Sequence, residues 1–118
     1  MTKVAVLLFA DSEDHADMGR AANALEIVKE FKEAGEEAKL IFDGAGTTWV
    51  PKLADENHDL HPLYKAVEDN IEGACSFCAK AFHVLDGVKE SNVKLLDDYD
   101  GHPSVKNLVD DGYRIITI

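Results

Sequence analysis

The sequence predicts a three-layer α/β/α domain built on a mainly parallel sheet, and three observations carry that prediction. The run VAVLLFA at positions 4–10 is unbroken in its apolarity, as a strand covered on both faces requires. Segments of strand and helix character then alternate to the end of the chain, the pattern of a parallel sheet wound with helices. The length, 118 residues, suits one domain with one substantial core and is too short for two. No internal repeat or low-complexity segment interrupts the alternation, so residues 1–118 are read as a single domain.

Each element has a local reason. The first strand, Val4 to Ala10, stops at Asp11-Ser12-Glu13-Asp14, side chains that suit a turn and a helix N-terminus. Ala21, Ala24, Leu25, Val28 and Phe31 then follow i, i+3, i+4, i+7 spacing, and Gly35 falls where a left-handed helix end belongs. Helix one is therefore expected over Met18 to Ala34. Glu37 to Phe42 reads as strand two and runs into the glycine-rich loop Asp43-Gly44-Ala45-Gly46. A short helical stretch follows Thr47-Thr48-Trp49-Val50-Pro51, then the loop Asn57 to Pro62 and a helix through Tyr64 and Val67. Ile71 to Ala74 reads as strand three and leads into Cys75-Ser76-Phe77-Cys78, with helical spacing resuming through Phe77, Ala81 and Val84. Val93 to Leu96 is a short strand. Pro103 suits a first helical turn, Val105, Leu108 and Val109 form an apolar stripe, and Gly112 ends that helix before the closing strand Tyr113 to Ile118.

Composition narrows the function classes. Twelve Lys+Arg against 23 Asp+Glu give a formal charge of −11, and only Arg20 and Arg114 carry guanidinium groups. Such a surface repels phosphate backbones, so no nucleic acid partner is expected. No apolar run is long enough to cross a membrane, and the N-terminus lacks a small-residue cleavage site. The reading is a cytoplasmic protein without a membrane partner. Two cysteines do not make a disulfide framework of the secreted kind, so their use is chemical or a matter of packing.

In open α/β sheets, ligands bind outside the carboxyl ends of the strands, near the point where strand order reverses. Those ends here are Asp11-Ser12, Asp43-Gly44-Ala45-Gly46 and Ala74-Cys75. Asp11, Asp43, Gly44, Gly46 and Trp49 are thus the expected substrate pocket, with the glycines allowing close backbone approach and Trp49 as a wall. Cys75 falls at the strand-to-helix turn, where unpaired backbone N–H groups and the helix dipole favour thiolate. Cys78 lies one helical turn along on the same face. Cys75 is the expected nucleophile and Cys78 its partner thiol.

The segments GACSFCAKAF, DGAGTTWV and HDLHPLY, with the ending LLDDYDGHPSVKNLVDDGYRIITI, resemble the DsrE/DsrF-like family of small sulfur-relay proteins, in a subgroup with CxxC. The resemblance covers most of the chain and is strongest from Asp43 onward. It implies a flavodoxin-like three-layer fold, a homo-oligomer (trimer or hexamer), and sulfane sulfur carried as a persulfide at the position of Cys75. It also implies protein partners that donate and accept the sulfur. At His83, where glycine would suit a left-handed turn, histidine adopts that conformation less easily, so the helix is expected to continue towards Gly87.

Histidine is the other source of chemistry. His58 is the expected base or orienting group for Cys75. A zinc site of His58, His61, Cys75 and Cys78 is set aside, because His61 precedes Pro62 as a helix cap and zinc-finger spacing is missing. His15, His83 and His102 read as surface or capping residues. The segment GAG at 44–46 is too short for a phosphate loop and lacks its lysine, so no nucleotide or flavin cofactor is expected, and with the zinc site set aside no metal is expected either. Besides sulfur relay, two readings remain open: an oligomeric binding or regulatory protein with CxxC as redox switch or packing element, and a thiol–disulfide oxidoreductase.

Overall fold

The computed structural model describes Met1–Ile118. Five strands, β1 (Lys3–Leu8), β2 (Glu37–Phe42), β3 (Ile71–Cys75), β4 (Leu95–Leu96) and β5 (Arg114–Thr117), form one sheet in the order β4-β3-β2-β1-β5. Every pairing is parallel. Helices α1 (His15–Glu33), α2 (Trp49–Ala54), α3 (His61–Ala66), α4 (Ser76–Ala81), α5 (Leu85–Glu90) and α6 (Val105–Asp110) complete a three-layer, flavodoxin-like α/β/α fold.

The layers are unequal, and strand order explains why. From β1 to β4 the chain steps across the sheet in one direction, so right-handed crossovers place α1 to α5 on a single face. Only the return from β4 to β5 crosses the other face, and it carries α6 alone. The alternation of β1 shows the result. Val4, Val6 and Leu8 pack with Leu25, Val28, Trp49 and Tyr64 in a cluster of 19 buried residues. Ala5 and Leu7 point the other way into a cluster of 6 with Leu108 and Tyr113.

Helix α1 begins earlier than its apolar stripe implies. Asp14 caps it, accepting the Asp17 N–H at 2.9 Å, so the polar turn His15 to Asp17 is already helical. At its other end the Glu36 N–H reaches Phe31 O (2.9 Å) and the Gly35 N–H reaches Lys32 O (3.0 Å), with Gly35 at φ 76°. This paired closure satisfies the last carbonyls of the helix.

The same closure corrects the expectation at His83. Helix α4 stops at Ala81, His83 takes φ 60°, and α5 starts separately at Leu85. The Val84 N–H bonds to Ala79 O at 2.9 Å and the His83 N–H to Lys80 O at 3.1 Å. Those bonds outweigh the roughly 1–2 kcal/mol that a side chain adds to the left-handed conformation. Pro103 also differs from expectation: it precedes Ser104, whose side chain caps α6 by accepting the Asn107 N–H at 3.1 Å.

Candidate functional site

Four polar side chains from separate parts of the chain meet beside the carboxyl ends of β2 and β3. Asp43, Cys75, Cys78 and His102 each bring one N, O or S atom into a group whose members all lie within 4.8 Å of one another. Cys75 is the last residue of β3 and caps α4. Its Sγ accepts the Cys78 N–H at 3.4 Å, and this local turn is what draws the two cysteines together. Asp43 directly follows β2 and caps the short 3-10 segment Gly44–Thr48 through the Gly44 N–H, 2.8 Å from Oδ1. The same Oδ1 lies 3.6 Å from Cys78 Sγ, which donates to it.

His102 enters from the connection between β4 and α6. Tyr99-Asp100-Gly101-His102 is a tight turn with φ 50° at Asp100 and 83° at Gly101, closed by reciprocal Tyr99 and His102 backbone bonds of 2.8 Å. Two consecutive positive φ values define the turn for which Asp-Gly is the preferred pair. Gly101 O accepts the Phe77 N–H at 2.9 Å, tying the turn to α4. The imidazole packs against Phe77 with ring centroids 4.8 Å apart and planes inclined at 38°. Its Nδ1 thereby rests 3.2 Å from Cys75 Sγ and 4.0 Å from Cys78 Sγ.

Electrostatics overturn the expectation of a thiolate at Cys75. The residue is 0% exposed, and burial pushes its thiol up to about 12, reinforced by the hydrogen bond with Cys78 and by the Asp43 carboxylate. The Cys78 N–H opposes this but is outweighed. Helix α4 has six residues, so its dipole is small against the loss of hydration around a buried anion. In the resting site Cys75 is a protected thiol beside the His102 imidazole.

The expected site residues divide. Cys75, Cys78 and Asp43 come together. His58 does not join them: its Nδ1 accepts the Leu60 N–H at 3.0 Å, and its ring meets the edge of Trp49 at a centroid distance of 6.0 Å. His61 Nδ1 is likewise occupied by Leu53 O at 2.8 Å. Trp49 is a core residue, 3% exposed, whose Nε1 donates to Ala10 O and Asp11 O. Asp11 uses Oδ1 to accept the Ser12 N–H. Gly44 stands beside Phe9, while Gly46 lies so close to β1 that an added Cβ would sit 1.8 Å from Leu8 O. The cluster also sits away from the reversal of strand order, which lies between β1 and β5.

His102 is the residue that sequence spacing misses. Its signal is the dipeptide Asp100-Gly101, which marks a tight turn and so fixes the direction of the following side chain.

Fold and site together define a class: a parallel α/β domain with a buried dithiol held between an imidazole and a carboxylate. The chain belongs to the family of MJ0733 from Methanocaldococcus jannaschii, described as an uncharacterized protein, with which it is 36% identical over 117 residues, 98% of this chain and 95% of that one. The structure of BT1422, a conserved protein of unknown function from Bacteroides thetaiotaomicron, is similar with a TM-score of 0.65 over 98% of this chain and 95% of that one. Identity to it is 15%, so this likeness concerns the fold alone. No protein-family model matches the sequence. No helix is long and apolar enough to cross a membrane.

Proposed function

We propose that the protein is a DsrE-like sulfur carrier of the cytoplasm that holds sulfane sulfur as a persulfide on Cys75, with Cys78 as partner thiol. The observation that carries the reading is the 3.2 Å contact between Cys75 Sγ and His102 Nδ1. A protonated thiol is a poor nucleophile, and an adjacent imidazole supplies the base that activates it. His102 takes the thiol proton as Cys75 attacks the outer sulfur of a donor persulfide R–S–SH. The new Sγ–S bond forms, the donor's S–S bond breaks, and R–S⁻ leaves, taking the proton from His102 to become R–SH. An acceptor thiolate then attacks the outer sulfur of Cys75–S–SH and restores the Cys75 thiolate. Alternatively Cys78 attacks Cys75 Sγ, expels hydrosulfide and leaves a Cys75–Cys78 disulfide, which an external dithiol reduces. Donor and acceptor proteins, and a homo-oligomeric assembly of three or six chains, belong to the same proposal.

The test is intact-protein mass spectrometry after exposure to polysulfide, with peptide mapping and a reductant-treated control. The expected result is one added sulfur on the Cys75 peptide, removed by reductant. Cys75→Ser is expected to abolish loading, whereas Cys78→Ser keeps loading and slows release. Equal loss of loading in both variants contradicts these roles. Light scattering at micromolar concentration tests the assembly, which a monomer mass would refute.

A further inference from the structure

The four groups gathered at the ends of β2 and β3 have a second chemistry that persulfide transfer does not use. From their geometry we infer that Asp43, Cys75, Cys78 and His102 form a tetrahedral Zn²⁺ site. Two sulfurs, one imidazole nitrogen and one carboxylate oxygen are a donor set that zinc accepts, whereas magnesium and calcium prefer oxygen donors alone. Zinc bonds of about 2.0–2.3 Å imply tetrahedral edges of about 3.3–3.8 Å. The contacts at 3.2 Å (Cys75 Sγ to His102 Nδ1), 3.6 Å (Cys78 Sγ to Asp43 Oδ1) and 4.0 Å (Cys78 Sγ to His102 Nδ1) bracket those edges. No pair exceeds 4.8 Å, so closure around the ion needs side-chain movements of about 1 Å.

The surroundings already support the donors. The Cys78 N–H points at Cys75 Sγ, and the Gly44 N–H points at Asp43 Oδ1. Backbone hydrogen bonds of this kind orient ligands and offset the charge on a thiolate. The contact with Phe77 and the turn at Asp100-Gly101 orient the imidazole. Asp43, Cys75 and Cys78 are buried. On binding, each thiol releases its proton to solvent, and two thiolates, one carboxylate and Zn²⁺ together carry a net charge of −1, so the ion offsets most of the charge that ionising both sulfurs creates. A zinc ion that engages both sulfurs leaves neither free to attack a persulfide, so the zinc form does not take sulfur. This last consequence rests on the sulfur-carrier reading; the site itself does not.

The experiment uses the full chain, reduced and stripped with chelator, then given Zn²⁺ and desalted. Elemental analysis is expected to find about one zinc per chain, and about none in Cys75→Ser or Cys78→Ser. His102→Ala and Asp43→Asn are expected to weaken zinc at least about tenfold in competition with a chromogenic chelator, while His58→Ala and His61→Ala retain it. Because a cysteine variant can misfold, the wild-type chain is also titrated with Co²⁺, where thiolate charge-transfer and intense visible bands report a tetrahedral sulfur-containing site. Failure of the reduced wild-type chain to hold zinc, or unchanged affinity in both His102→Ala and Asp43→Asn, would overturn the assignment. Polysulfide loading of the zinc-free and zinc-bound forms separates the metal site from the carrier chemistry. If zinc binds and the zinc-free form gains no sulfur, the carrier reading falls and the metal site stands. Sulfur uptake without zinc binding removes the metal site and leaves the carrier reading standing.

Discussion

Raising the pH from 8 to 10 should destabilise this protein through Cys75 by an amount that can be worked out in advance. The thiol ionises near 9.0 in the unfolded chain and is pushed up to about 12 in the fold. Between those values the native state holds a proton that the unfolded state has released. Stability is therefore complete below pH 9 and falls as pH rises towards 12. Integrating that difference for a single group gives a loss on the order of 1 kcal/mol between pH 8 and pH 10. Burial also raises Tyr64, and burial with the hydrogen bond to Glu37 raises Tyr113, so the phenols act in the same direction. The comparison must accordingly be between wild type and Cys75→Ser, which retains both tyrosines. Urea unfolding followed by far-ultraviolet circular dichroism, in reductant at pH 8, 9 and 10, supplies the free energies. The wild type should lose more than the variant across this range, by an amount on the order of 1 kcal/mol. The same protonation keeps the Cys75 thiolate scarce at pH 8, so its alkylation should rise steeply beyond pH 10. Parallel stability curves, with an alkylation inflection near pH 8.5, would refute the effect of burial and restore a thiolate-like Cys75.

Four substitutions probe other parts of the molecule. Gly46→Ala forces a Cβ against Leu8 O and should destabilise by ~3 kcal/mol, whereas Gly19→Ala, in an open position on α1, should stabilise by about 0.5–1 kcal/mol; thermal melts distinguish them. His83→Gly removes the side chain from a residue at φ 60° and should raise stability by about 0.5–1 kcal/mol, measured by urea midpoint, unless the left-handed closure of α4 is misread. His102→Ala should slow persulfide loading of Cys75 by roughly 100-fold with a far-ultraviolet spectrum like that of wild type, and added imidazole should restore part of the rate. An unchanged loading rate would remove His102 from the proposed mechanism.

The sequence is most informative where burial has a simple period. Val4 to Leu8, Glu37 to Phe42 and the Ala21–Val28 stripe are legible because covered strands and amphipathic helices impose patterns on neighbouring residues. Boundaries are less so, since Asp14 starts α1 through one side-chain hydrogen bond that no apolar spacing records. The approach of Asp43 to the cysteines follows from the rule that ligands sit at strand ends. That of His102 does not, because it depends on β4 pairing with β3 and on the turn that follows. Such information is long-range: residues 75 and 102 are neighbours only after the sheet has formed. His58, three residues from His61, looks more like a metal or catalytic pair than it is, since each imidazole satisfies a nearby backbone group. The thiol's protonation is misjudged for a related reason: a helix start is visible in sequence, and complete burial of Cys75 is not.

The single helix on the second face bears on how a reagent reaches a fully buried sulfur. Helix α6 has six residues and joins a cluster of only 6 buried side chains, against 19 on the opposite face. Hydrogen exchange should therefore show α6 and its flanking connection opening at lower free energy than α1, β1 and β2. His102 lies on that connection, so the same excursion would draw the imidazole off the sulfurs and admit solvent to Cys75 without melting the larger core. On this view the accessibility of the dithiol is a thermally activated property of the thin layer. Equal exchange protection on the two faces would show instead that the site is reached only through global unfolding or from the rim around Phe77.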